Sequence, residues 1–301
     1  MPAADRRRIS GPMAGTLLVF GHGYSATALS RRLVPLGWQI FGTTRSADKA
    51  PELEAIGVTP IVWPGGDVLP ALAAADHLLA SAAPDADGDP VLAALAPEIA
   101  TAAPRLRWAG YLSTTGVYGD QGGGWVDEET PPAPSTTRGR QRVAAEAEWA
   151  ALGLPLHVFR LAGIYGPGRG PFAKVREGTA RRIVKQGQVF SRIHVDDIAQ
   201  VLEASIARPD PGRVYNVCDD DPAPPQEVIA EAARLLGLPV PPAVPFEEAE
   251  LSPMARSFYA ESKRVRNDRI KDELGVELLY PDYRSGLRAL LEEEDPSCSR
   301  D

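Results

Sequence analysis

Leu17, Leu18, Val19 and Phe20 form an apolar run that enters Gly21-His22-Gly23-Tyr24-Ser25-Ala26, and a helical pattern follows at once. This G-x-G-x-x-A turn between a strand and a helix constrains the fold more than any other feature. Gly21 permits the tight turn, Gly23 leaves out a side chain where a pyrophosphate would press on the backbone, and Ala26 lets the helix lie close to the strand. The N–H groups at the helix start, around Tyr24 and Ser25, would then face phosphates. An ordinary strand–turn–helix corner can use the same residue types, so the neighbouring pattern has to decide.

That pattern alternates through the first half. Leu17–Phe20, Trp38–Thr43, Pro60–Trp63, His77–Ala80, Trp108–Ser113 and Leu156–Leu161 read as strands. Ser25–Leu36, Val91–Ala102 and Arg138–Leu152 read as helices, with Gly37 and Gly153 as stops. Alternation of this kind predicts an α/β fold, a Rossmann-type doubly wound parallel sheet with helices on both faces. Ligands of such sheets bind beyond the carboxyl ends of the strands. From Gly166 a Gly/Pro loop opens a mixed stretch. It holds a short strand at Val214–Val217, helices at Pro225–Leu236 and Lys263–Leu274, and a proline-rich connection from Pro239 to Pro253. The expected division is an extension over 1–14, a dinucleotide-binding domain over 15–165, a smaller substrate lobe with segments returning to the main sheet over 166–291, and a disordered acidic tail over 292–301.

The 301 residues carry a formal net charge of -8. An acidic surface argues against a nucleic-acid partner. No apolar run reaches bilayer length, which argues against a membrane partner, and the polar start with Arg6, Arg7 and Arg8 lacks the apolar segment of an export signal. Met13 offers itself as an alternative start. The two cysteines, Cys218 and Cys298, fit a reducing, cytoplasmic setting. The four histidines have no metal-ligand spacing, and Asp219-Asp220-Asp221 reads as a solvated turn, so no metal is expected. A small molecule is the expected partner; a homodimer stays open.

The coenzyme can be read at the end of the second strand. An acid about 20 residues past the glycines would bond the 2′-hydroxyl of NAD. Here the chain has Thr43-Thr44-Arg45-Ser46 instead. A guanidinium pairs with a 2′-phosphate that a carboxylate would repel. Arg45, with Thr44 and Ser46, therefore points to NADP, with NAD as the alternative. Asp67 is a candidate for the adenine side. Ser81-Ala82-Ala83 after the fourth strand lets backbone approach the coenzyme at Ala82.

Further segments extend the match. Leu112-Ser113-Thr114-Thr115-Gly116-Val117-Tyr118-Gly119, the acidic stretch Trp125–Pro131, Phe159-Arg160 through Tyr165-Gly166-Pro167-Gly168, His194-Val195-Asp196-Asp197 and Tyr215-Asn216-Val217 follow in order. In that order they resemble the extended short-chain dehydrogenase/reductase family, the epimerase/dehydratase-like branch, over about Thr16 to Leu291. The resemblance implies that Thr114, with Thr115 beside it, bonds the reacting oxygen, and that the loop at Tyr165 lies beside the nicotinamide. Asp196 is expected to cap the helix that follows.

The family's Tyr and Lys, four residues apart on one helix, fall on Arg138 and Arg142. The spacing survives but the chemistry does not, because arginine stays protonated and cannot cycle a proton. Arg142 could still bond the ribose or a phosphate. Arg138, Glu128 and Arg169 are the candidate substrate contacts. Tyr118, Tyr165, Glu128 and Glu129 are the candidate replacements for the missing acid. Two functions follow: an NAD(P)-dependent oxidoreductase or epimerase acting on a polar, sugar- or phosphate-bearing molecule, or a catalytically silent NADP(H)-binding sensor.

Overall fold

The computed structural model describes residues 14–294, without the side chains of Pro253 and Met254. The readings on Met13, on the arginines before it and on Cys298 lie outside the described residues.

The first half runs β1 (Thr16–Phe20), α1 (Tyr24–Leu33), β2 (Gln39–Thr44), α2 (Ala50–Ala55), β3 (Val58–Val62), α3 (Leu69–Ala74), β4 (His77–Ala80), α4 (Pro90–Ala102), β5 (Trp108–Thr114), β6 (Trp125–Val126), α5 (Thr137–Ala150) and β7 (Leu156–Leu161). The second half continues with β8 (Gly163–Tyr165), α6 (Phe172–Arg176), β9 (Arg182–Val184), β10 (Arg192–His194), α7 (Val195–Ala207), β11 (Val214–Val217), α8 (Pro225–Leu235), β12 (Ala243–Pro245), α9 (Pro253–Phe258), β13 (Arg264–Val265), α10 (Asp268–Asp272) and α11 (Tyr283–Glu294). No helix among the described residues is long and apolar enough to cross a membrane.

Seven strands form one parallel sheet in the order β11-β7-β5-β4-β1-β2-β3. Successive side chains of a strand point to opposite faces. Leu17 and Val19 accordingly enter one buried cluster, with α1 and α7, while Leu18 and Phe20 enter the other, with α3, α4 and α5. Both faces are covered, which explains why these strands are apolar throughout instead of alternating. A third cluster joins Tyr165, Phe172 and Val175 to one face of α8 and of α11. The chain order reverses between β1 and β4, and such a switch point is where doubly wound sheets leave a crevice.

Two readings of the sequence need correction. The expected helix over Lys263–Leu274 is a short strand, β13 paired with β6, followed by the single turn-and-a-half of α10. Val265 is buried there among residues of the main core, and its N–H donates to Ser191 Oγ, so tertiary pairing overrides a weak helical pattern. Glu292, Glu293 and Glu294 belong to α11, which reaches Glu294 because Leu287, Leu290 and Leu291 fix its buried face. The remainder of that acidic segment lies outside the described residues.

Candidate active site

Beyond the carboxyl ends of β1 and β4 the backbone forms a shelf. Gly21 has φ +77, in the left-handed region, and a Cβ there would stand 2.9 Å from the Ala82 nitrogen. No side chain fits, so the turn closes against the segment after β4. Gly21 N–H donates to Thr43 Oγ1 at 2.8 Å, and His22 N–H donates to the Thr43 carbonyl at 2.8 Å. The end of β2 thereby holds the turn. Gly23 is exposed, and a Cβ on it would meet nothing nearer than the Gly21 oxygen at 3.8 Å.

Gly23 is the N-cap of α1 and brings no side chain to the cap; the first turn holds no acidic residue. The first helical bond is Thr27 N–H to the Gly23 carbonyl, which leaves the N–H groups of Tyr24, Ser25 and Ala26 without a backbone partner. Ser25 Oγ is likewise unengaged among the described residues. Burial pulls the His22 pKa down to about 4, and its Nε2 pairs with Ser30 Oγ at 2.9 Å. The imidazole is neutral and structural, and the positive character of the shelf comes from amides and the helix dipole.

At the end of β2, Arg45 is exposed and forms no ion pair or hydrogen bond among the described residues. Thr44 Oγ1 is turned into the loop, accepting from Ser46 N–H at 3.3 Å, and Ser46 Oγ accepts from Asp48 N–H at 3.3 Å. Both hydroxyls shape the turn that presents Arg45. Asp67 accepts from Leu69 N–H at 3.0 Å and serves the start of α3.

Thr114 and Thr115 stand at the end of β5. Thr114 Oγ1 accepts from Gly116 N–H at 3.1 Å, leaving its own proton free to donate, and the Thr115 hydroxyl has no partner among the described residues. The start of α5 presses on this turn, since a Cβ on Gly139 would lie 2.8 Å from the Gly116 carbonyl oxygen. Thr136 caps α5 through Gly139 N–H at 3.1 Å. The two arginines of α5 then part. Arg142 turns inward, donating to the Leu112 carbonyl at 2.7 Å and the Tyr111 hydroxyl at 3.1 Å. Arg138 is exposed and lies 5.9 Å above the ring of Phe258 in α9.

Three candidates are displaced from the site. Tyr118 is fully buried; its hydroxyl donates to Asn216 Oδ1 at 2.7 Å and accepts from Arg160 at 3.0 Å, and burial pushes its pKa up. It belongs to the interior and cannot touch a substrate. Tyr165 is buried against α11, its hydroxyl without a partner and so close to Gly286 that a Cβ there would strike it. Its ring packs edge-on to His194 at 5.2 Å. It anchors the loop after β8 to α11, with its hydroxyl closed off from solvent. Glu128 accepts from Asn216 N–H at 2.8 Å and keeps only 5% of its side chain exposed, which raises its pKa through burial. It ties the acidic loop to β11. Glu129 is exposed and pairs with Arg269 at 2.5 Å. Arg169, by contrast, is exposed and carries its guanidinium 5.3 Å above the ring of Tyr24, the first residue of α1.

The cap of α7 also differs from expectation. His194 occupies the N-cap and accepts from Asp196 N–H at 3.2 Å, while buried Asp197 accepts from Leu279 and Tyr280 N–H at 2.7 and 3.1 Å. The first acid of the motif is two residues too far along the chain to cap, and the second is used to hold the segment before α11.

Sequence reasoning missed a polar network under α5. Arg160 binds Glu146 at 2.8 Å across α5 and β7, Ser113 donates to the same carboxylate, and the network continues to Tyr118 and Asn216. An arginine inside an apolar strand and a glutamate 14 residues before it were the available signal.

A Rossmann-type sheet with a glycine turn at its switch point, hydroxyls at the end of β5 and a helix packed on the turn that follows them defines a short-chain dehydrogenase/reductase architecture. The chain belongs to the extended branch of that family, among epimerase/dehydratase-like proteins. It is 31% identical to Protein YeeZ of Escherichia coli over 283 residues, covering 88% of this chain and 96% of that protein. A solved structure of a conserved protein of unknown function from Silicibacter pomeroyi DSS is 64% identical, with a TM-score of 0.90 over 94% of this chain and all of that one. A protein provisionally assigned as an NAD-dependent epimerase/dehydratase from Methylobacillus flagellatus is 28% identical, with a TM-score of 0.67 over 93% of this chain and 98% of that one. No protein-family model matches the chain.

Proposed function

We propose that the protein is a nicotinamide-dinucleotide-dependent oxidoreductase that prefers NADP and acts on a polar, anionic small molecule. The observation that carries this reading is the shelf itself. Gly23 leaves open space above three unengaged amides, Gly21 cannot be replaced, and Arg45 stands unpaired where an acid would select NAD. These groups fit a dinucleotide. Its pyrophosphate would rest on the amides at Tyr24, Ser25 and Ala26, and its 2′-phosphate would pair with Arg45. The coenzyme supplies a hydride when bound. The relative from Methylobacillus, itself provisionally assigned as NAD-dependent, supports the class.

On the protein side, Thr114 and Thr115 hold the reacting oxygen with their free hydroxyl protons. In this reading Arg142 would bond the ribose, and Arg138 would meet the negative charge of a substrate. Because both are permanent cations, they can stabilise an anion but cannot deliver a proton. The burial of Tyr118, Tyr165 and Glu128 gives the second reading its weight, a dinucleotide-binding sensor without turnover. Depletion of NADPH in the presence of a panel of anionic carbonyl compounds separates the two.

The coenzyme reading is tested by titration calorimetry of the purified chain. NADPH binds more tightly than NADH, and Arg45→Ala reduces the affinity for NADPH by about tenfold or more while leaving NADH unchanged, the magnitude of a charge-assisted hydrogen bond. Equal affinity for both coenzymes in the wild type removes the NADP assignment.

A further inference from the structure

The loop after β8 is held from two sides. Beneath it, Tyr165 is buried against α11. Above it, Tyr24 donates its hydroxyl proton to the Pro167 carbonyl at 3.0 Å. Gly166 packs so closely that a Cβ would collide with the Tyr24 hydroxyl and stand 2.7 Å from Val195 Cγ1. Gly166 and Arg169 exchange backbone hydrogen bonds, 2.8 Å from the Arg169 N–H and 3.3 Å in return. The Arg169 backbone is thus pinned, and its guanidinium lies 5.3 Å above the ring of Tyr24, the first residue of α1.

The cation therefore stands over the side chain of the residue that opens α1. It is exposed and has no ion-pair partner among the described residues. Asp196, Glu293 and Arg31 also act electrostatically on Tyr24, but neither carboxylate comes within ion-pair distance of Arg169. A guanidinium on a pinned backbone, stacked over Tyr24 and without an acid, together with the three unengaged amides that open the same helix, makes a two-sided anion site.

We infer that Arg169 is a pyrophosphate clamp, pairing with the non-bridging oxygens of the bound dinucleotide from the side opposite the α1 amides. This rests on the dinucleotide reading above and reassigns Arg169 from the substrate to the coenzyme. It also divides the work between two arginines. Arg45 reads the 2′-phosphate and selects the coenzyme; Arg169 grips what NADH and NADPH share.

The test is calorimetry on the full chain with four probes: NADPH, NADH, ADP-ribose and 2′-AMP, the last of which has a 2′-phosphate but no pyrophosphate. Arg169→Ala weakens the first three alike, by about tenfold to a hundredfold, and leaves 2′-AMP binding unchanged. Arg169→Lys recovers part of the loss as a point charge without the planar fork. Arg45→Ala shows the complementary pattern, weakening NADPH and 2′-AMP only. Unchanged ADP-ribose affinity in Arg169→Ala overturns the clamp, as does an equal loss for 2′-AMP, which would mean that the shelf as a whole had been disturbed. A wild-type chain that ignores ADP-ribose and both coenzymes overturns the dinucleotide reading itself, a result distinct from a variant that binds as well as wild type.

Discussion

Asp219 shows how far a single residue can depart from its sequence reading. As the first of three adjacent acids it looks like part of a solvated turn, yet it is 1% exposed, and neither carboxylate oxygen has a hydrogen-bond partner among the described residues. Burial raises its pKa to about 8, with Arg192 opposing the shift. The folded chain keeps a proton that the unfolded chain releases in the ordinary carboxylate range. Stability therefore falls as pH rises from about 4 to about 8. Asp219→Asn keeps the shape and removes the titration. Its melting temperature should exceed that of wild type at pH 8 and match it near pH 4; a gap that stays the same at both pH values would contradict the buried neutral acid. Its neighbours Asp220 and Asp221 do what the sequence suggests, pairing at the surface with Lys271 and Arg284. Three identical letters thus occupy two environments, and only the packing around Arg192 separates them.

At the scale of elements, α5 has two faces with two tasks. Its first two turns carry Arg138 and Arg142, near the turn after β5. Farther along, Ala145 and Trp149 pack into the core while Glu146 meets Arg160, whose side chain is 6% exposed. A buried ion pair contributes little net stability, but removing one partner leaves an uncompensated charge. Glu146→Ala should cost about 3–5 kcal/mol in urea unfolding, and Glu146→Gln less, because a hydrogen bond to Arg160 survives. A loss near that of a surface pair, about 0–1 kcal/mol, would show that Arg160 finds water instead. The helix was legible as Arg138–Leu152 because its periodicity and its Gly153 stop agree, whereas the Thr136 cap that starts it one residue earlier, at Thr137, emerged only from the structure. Its arginine pair was legible as a spacing, but not the divergence of Arg142 toward Leu112 and Arg138 toward Phe258. The short elements β13 and α10 were illegible, because two-residue pairing leaves no periodic signal.

In the whole molecule, the candidate site lies where three buried clusters meet: the two sides of the sheet and the smaller core of α8 and α11. The loop after β8 connects the third cluster, through Tyr165, to the α1 side of the sheet, through Tyr24, while Ala82 links the shelf to the other side. A ligand bound as proposed on the shelf would touch groups anchored in separate clusters, so it should stabilise the fold as one unit. NADPH at a hundred times its dissociation constant adds about 2.7 kcal/mol by mass action, visible as a concentration-dependent rise in melting temperature. A melting curve indifferent to saturating NADPH would leave the shelf without its ligand. The glycine turn, the parallel sheet and the family could be read from the sequence because each rests on local rules: which residues tolerate a tight turn, which alternate, which stop a helix. Tertiary structure alone decided which hydroxyls and carboxylates reach solvent. Tyr118, Tyr165 and Glu128 follow strands as active-site residues do, but burial depends on chains that arrive from elsewhere: Asn216 on β11, Gly286 on α11 and Arg269 on α10. Such contacts are fixed by packing between distant segments, and no spacing along the chain encodes them.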